Sequence, residues 1–123
     1  MRFKSVMTKE NAIFFSNSIS LLEKIANQAV IFINQEKIKL CAQMGGDGIM
    51  SYIELMADQV FHDMKIESLS ANSILFEIQL QNLSRALSSC KGGNMCEVKL
   101  AKRKKIPCMC FSTKVYICVV FLC

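Results

Sequence analysis

The chain has 123 residues, 52% of them apolar, and 15 Lys/Arg against 10 Asp/Glu give it a net charge of +5. That much apolar content excludes a disordered chain and suffices for one domain with its own core. No stretch reaches the roughly 18 apolar residues of a membrane span, and Arg2, Lys4, Lys9 and Glu10 already interrupt the first 11 positions, so a soluble protein without a secretory leader is expected.

Residues 2–7 (RFKSVM) read as a first strand. Thr8 or Asn11 can cap the helix that follows, from about Lys9 to Asn27, in which Ala12, Phe15, Ile19, Leu22 and Ala26 form one apolar stripe. Its opposite face carries Lys9, Asn17, Ser20, Lys24 and Asn27. Residues 29–33 (AVIFI) are an unbroken apolar run with β-branched members, which predicts a strand buried on both sides. After a turn at Asn34, Gln35 and Glu36, the residues Ile38, Leu40 and Ala42 alternate with Lys37, Lys39 and Cys41 as a half-buried strand. Gly45, Gly46 and Gly48 around Asp47 predict a hairpin loop, and residues 49–55 the returning strand.

Residues 56–67 are less regular, with VFHDMKI a short strand candidate. From Ile74 the period is two, and from Leu80 the apolar residues Leu80, Leu83, Leu87 and Cys90 fall at helical spacing, so strand 72–79 runs almost directly into helix 80–91. The outward face of that helix then holds Gln81, Arg85 and Ser88 and no acid. A break at Gly92 and Gly93 precedes strand 95–101, with Cys96, Val98 and Leu100 inward, then a basic turn and strand 106–112. Residues 1–55 and 72–112 thus repeat one pattern, the second copy one strand short. Hairpin-linked strands dominate both copies, so the expected fold class is α+β, with antiparallel sheets and both helices on one face.

Charge is uneven along the chain. Residues 85–123 hold eight of the Lys/Arg and a single acid, Glu97. Such a basic part favours a polyanionic partner. The cluster Lys102, Arg103, Lys104 and Lys105 reads as a solvated hairpin turn, a phosphate contact or part of a nuclear address. Seven cysteines (Cys41, Cys90, Cys96, Cys108, Cys110, Cys118 and Cys123), without a CxxC, read as reduced, buried small hydrophobes of an intracellular protein.

Catalytic and ligand readings are thin. Cys108 and Cys110 share one face of a strand, but a zinc site wants more ligands, so they read as core residues and no metal is expected. His62 lacks an evident cysteine and orienting group and reads as a surface or edge-strand histidine. The glycine loop lacks the Lys-Ser/Thr and following helix of a phosphate loop. With no carboxylate pair, triad or cofactor fingerprint, no enzyme and no cofactor are expected. The alternatives are an enzyme fragment, which loss of turnover on changing His62 or Cys90 would support, and a small stand-alone nucleic-acid-binding module using the basic C-terminal third, which a steep loss of binding with salt would support.

The repeat, together with the words MRFKSVM, SNSISLLEKIA, GGDGIMSYIEL, IESLSANSILFEIQLQNLSRAL and IPCMCFST, resembles the Hus subunits of the heterotrimeric DNA-damage checkpoint clamp, a nuclear ring related to proliferating cell nuclear antigen. The resemblance covers residues 1 to about 114 and is most specific from Ile66 to Leu87. It implies a sliding-clamp domain of two strand-helix-strand-strand repeats, a non-enzymatic role in encircling DNA and recruiting checkpoint and repair factors, two other clamp subunits and a clamp loader as partners, no membrane, and a place in the nucleus and nucleolus. Both helices would line the hole. Lys9, Lys24, Arg85 and Lys91 would face duplex DNA, weakly and without sequence preference, as Glu10 and Glu23 offset part of the field. Arg85 sits where the related replication clamp carries a DNA-facing lysine, and Ser88 where it carries another.

Family subunits hold two such domains in tandem, and this chain looks like the first only, a truncated form, with the last strand of that domain missing or replaced. The apolar tail 115–123 (VYICVVFLC) lacks charge and turn residues; it could be the missing strand, although no hairpin loop precedes it, and a second hypothesis is that it is not native coding sequence, since a GT-initial valine codon at Val115 would suit translation into a retained intron. Amplifying the transcript across that junction tests this.

Overall fold

The structure is a computed structural model that describes residues 2–44, 49–69, 71–91, 95–103, 105–113 and 117–121. Strand β1 (Arg2–Thr8) passes directly into helix α1 (Lys9–Glu23). Thr8 and Asn11 together fix that junction: the Thr8 hydroxyl accepts the Asn11 N–H at 3.2 Å, and the Asn11 side-chain oxygen accepts the Thr8 N–H at 3.2 Å. Two of the helix's orphan donors are satisfied reciprocally. The helix ends four residues before the expected Asn27, because the Leu22 carbonyl takes the N–H groups of both Ile25 and Ala26 at 3.0 Å and the chain turns into the next strand.

Strands β2 (Gln28–Ile33), β3 (Lys37–Met44) and β4 (Ile49–Met56) form an antiparallel meander. The Asn34 side-chain oxygen closes its first turn by accepting from Glu36 and Lys37 N–H, both at 2.8 Å. The predicted loop at Gly45, Gly46 and Gly48 lies outside the described residues. A 3-10 turn at Ala57–Gln59 carries the chain to β5 (His62–Glu67), and β6 (Ile74–Gln79) leads into α2 (Leu80–Cys90). Strands β7 (Met95–Arg103), β8 (Ile106–Ser112) and β9 (Ile117–Phe121) complete the order. The strands make two antiparallel sheets, β5-β1-β7-β8-β9 and β4-β3-β2-β6.

One core joins them. It takes Ala12, Phe15, Ile19 and Leu22 from α1, Leu80, Leu83, Ala86, Leu87 and Cys90 from α2, and the alternating inner residues of both sheets. Phe61 links the first sheet to α1 through edge-to-face contacts with Phe3 at 5.2 Å and Phe15 at 6.4 Å. Inward Ile38, Leu40 and Ala42, and inward Cys96 and Val98, follow the alternation read from the sequence, with Leu100 half-buried.

Two expectations are corrected. Strand β2 is not buried on both sides: Ala29, Ile31 and Ile33 face the core, while Val30 is exposed and Phe32 half-buried, since among the described residues no second layer covers that side of the sheet. The second repeat is not one strand short, because β9 pairs with β8 from Ser112↔Ile117 to Cys108↔Phe121 and occupies the place of the last strand. Cys108 and Cys110 are buried core residues as read, and alternation puts them on the face of β8 opposite Met109 and Phe111. The five cysteines whose side chains are described are thiols rather than disulfide partners.

Candidate nucleic-acid interface

Helices α1 and α2 pack beside each other over the sheets' inner faces. The Leu80 N–H, which opens α2, donates to the Asn27 carbonyl just past the end of α1 at 2.9 Å. The C-terminal end of α1 therefore meets the N-terminal end of α2, and the packed helices run antiparallel. At 15 and 11 residues they present a surface about 22 and 16 Å long.

The cations proposed from the sequence are spread along it. Lys9 opens α1 and Lys24 caps its C-terminus, both exposed; Arg85 is exposed in mid-α2; Lys91 caps α2 and is half-exposed. Antiparallel packing brings Lys9 towards the Lys91 end and Lys24 towards Gln81, with Arg85 between. A shallow groove of about 580 Å³, lined by Glu23, Ala26, Asn27, Gln28, Gln79 and Gln81, marks the Lys24 end. The outward face of α2 is as read: Gln81, Arg85 and Ser88 are exposed and no acid interrupts them. Sparse cations among neutral polar groups suit sequence-independent phosphate contact.

The outward face of α1 is less polar than its sequence reading. Ile13 and Phe14 are each 39% exposed and Leu21 is 61% exposed, among Glu10, Asn17 and Lys24. The doublets Phe14-Phe15 and Leu21-Leu22 carry the signal, since neighbours on a helix stand about 100° apart and two large side chains in a row tend to leave one of them outward.

The basic turn belongs to the β7–β8 hairpin. Lys102 is exposed at the end of β7 and Lys105 is exposed beyond it, with Arg103 paired to Ile106 across a two-residue hairpin. Lys105 adopts φ 67°, the left-handed conformation such tight hairpins demand. Lys104 and the side chain of Arg103 lie outside the described residues. His62 is exposed on the edge strand β5, and its carbonyl accepts the buried Ser5 hydroxyl at 2.8 Å. The thiols of Cys108 and Cys110 lie 3.9 Å apart, and among the described residues no three metal-type side chains gather.

Two repeated strand-helix units, antiparallel helices on one side and two sheets on the other define a sliding-clamp domain. Solved clamps share it: the PCNA of Thermococcus kodakaraensis superposes with a TM-score of 0.65 at 19% identity, covering 98% of this chain and 45% of that one. A PCNA2–PCNA3 complex of Sulfolobus tokodaii gives 0.62 at 15% identity, with the same coverage. Residues 1–120 match the Hus1-like protein family, and the chain belongs to it. Checkpoint protein HUS1 of Homo sapiens is 28% identical over 104 residues, 81% of this chain, and the chain spans 37% of that relative's length.

Proposed function

We propose that this chain acts as a non-enzymatic subunit of the checkpoint clamp, forming with two other clamp subunits a heterotrimeric ring that a clamp loader places on duplex DNA. In that ring Lys9, Lys24, Arg85 and Lys91 face the duplex, and the assembled subunits recruit checkpoint and repair factors in the nucleus. The observation that carries this reading is the acid-free outward face of α2, with Arg85 at its centre, on a clamp fold. Contacts of this kind give weak, salt-sensitive binding by one domain alone, and closure of a ring converts it to retention. The outer edges β4 and β9 offer unpaired strand backbones within this chain, β9 towards a neighbouring subunit and β4 towards a second domain of the same subunit.

A pull-down with the two other clamp subunits tests the proposal, using this chain and a version extended by a second clamp domain. Retention of either supports it, and retention only of the extended version assigns ring closure to that domain. Loss of both rejects it.

A further inference from the structure

The solvent side of the five-stranded sheet carries charges that the helix face does not use. Phe3, Ser5 and Met7 of β1, Ile66 of β5, and Cys96 and Val98 of β7 point inward. Alternation therefore puts Lys4, Lys65 and Lys99 together on the opposite face, where all three are exposed. Register lines them up: Lys4 pairs with Lys65 on one side and with Lys99 on the other. With strands about 4.8 Å apart, three ammonium stems stand within about 10 Å. Like charges directly opposite one another destabilise a sheet. Among the described residues only Lys4 of the three has an ion pair, a loose one to Glu97 at 3.9 Å. The row continues into Cys110, opposite Lys99 and buried, rather than into an acid.

We propose that the row Lys65–Lys4–Lys99 docks an acidic peptide segment of a protein partner, an extended stretch whose carboxylates lie against the three ammonium groups. Opposite charge is the only occupant that relieves the repulsion within the row. Its size favours a peptide: side chains two apart on an extended chain are about 7 Å apart, so three alternate acids match three lysine heads within reach of their flexible stems. A duplex fits less well, because Glu97, opposite Val6, and Glu67, opposite Arg2, flank the row and would oppose a continuous phosphate backbone. The row also lies on the far side of the sheet from α1 and α2, so one domain can hold a duplex on its helices and this segment behind them.

The test is fluorescence anisotropy of a labelled eight-residue peptide of alternating Glu and Ser with the full chain, alongside a labelled DNA duplex. Replacing all three residues (Lys4→Gln, Lys65→Gln, Lys99→Gln) is expected to weaken peptide binding about tenfold, the sum of three exposed pairs, with duplex affinity changed less than about twofold. The set Lys9→Gln, Lys24→Gln and Lys91→Gln is expected to do the reverse. Unchanged peptide binding by the first set, or equal loss from both sets, overturns the proposal. Loss of duplex instead of peptide overturns it in favour of a nucleic-acid contact. Should the triple variant not fold, Lys65→Gln with Lys99→Gln spares the Lys4–Glu97 pair and carries the same test with a smaller loss.

Discussion

Helix α1 exposes Ile13, Phe14 and Leu21 beside Glu10, Asn17 and Lys24, whereas α2 exposes Gln81, Arg85 and Ser88. Their inner faces are alike, and so is their place in the repeat. Their starts differ too: α1 has a reciprocal side-chain cap at Thr8 and Asn11, while Gln79 makes no side-chain cap for α2, whose first N–H goes to the Asn27 carbonyl instead. Packing dictates the inner faces and leaves the outer ones to the partner. By that measure α2 has the more polar outer face, the one the proposed phosphate contact would use, and α1 is the helix that anchors itself.

The comparison breaks first if the inner faces are not equivalent. Ile19→Ala and Leu83→Ala, both at fully buried positions, are each expected to cost about 3 kcal/mol in a denaturant melt. A loss under about 1 kcal/mol at one site alone would show that only one helix anchors the core. The outer faces are compared by duplex titrations at several salt concentrations. Arg85→Ser should weaken binding about fivefold and lower the slope of log affinity against log salt by about 0.9, whereas Lys24→Ser, beside Glu23, should change affinity less than about twofold.

Smaller effects sharpen the contrast at the helix ends. Thr8→Ala removes the capping pair and is expected to cost about 1 kcal/mol, against less than about 0.5 kcal/mol for Gln79→Ala, both read from thermal melts. At the far end of α2, a side-chain hydrogen bond with Cys90 holds the Cys96 thiol below its usual 9.0, against the opposing effect of burial. The folded state then binds that proton less tightly than the unfolded chain. Its stabilising contribution is full above pH 9.0 and fades as pH falls through the lowered value. The stability gap between the parent chain and Cys96→Ala should therefore widen as pH rises from the lowered value to 9.0 and level off above it, the smallest of these effects.

Much of the fold was legible because its signals are local. The alternation of Ile38, Leu40 and Ala42, the stripe of Ala12, Phe15, Ile19 and Leu22, and the change of period at Leu80 each sit within a few residues. Strand β2 misled because an unbroken apolar run reads as doubly covered, although among the described residues no layer covers Val30 and Phe32. Strand β9 stays one of two readings of the tail in the sequence, because no turn residue lies between Ser112 and Ile117 to announce a hairpin. The site divides the same way. Arg85 on a helix face could be read directly, but the row of Lys4, Lys65 and Lys99 depends on which strands pair, and residues so far apart in sequence meet only through that register.

The antiparallel setting of α1 and α2 bears on direction. A pair of helices related by an approximate two-fold axis looks much the same from either end, as does a duplex whose strands run in opposite senses. Their end-to-end dipoles also largely cancel. The likeness stops at the backbone: turning the pair end for end exchanges Ile13, Phe14 and Leu21 for Gln81, Arg85 and Ser88, so the side chains on the helix face do mark a direction. A duplex held as proposed would set its two strands against unlike helices, and the direction of binding could be read at the helix face itself.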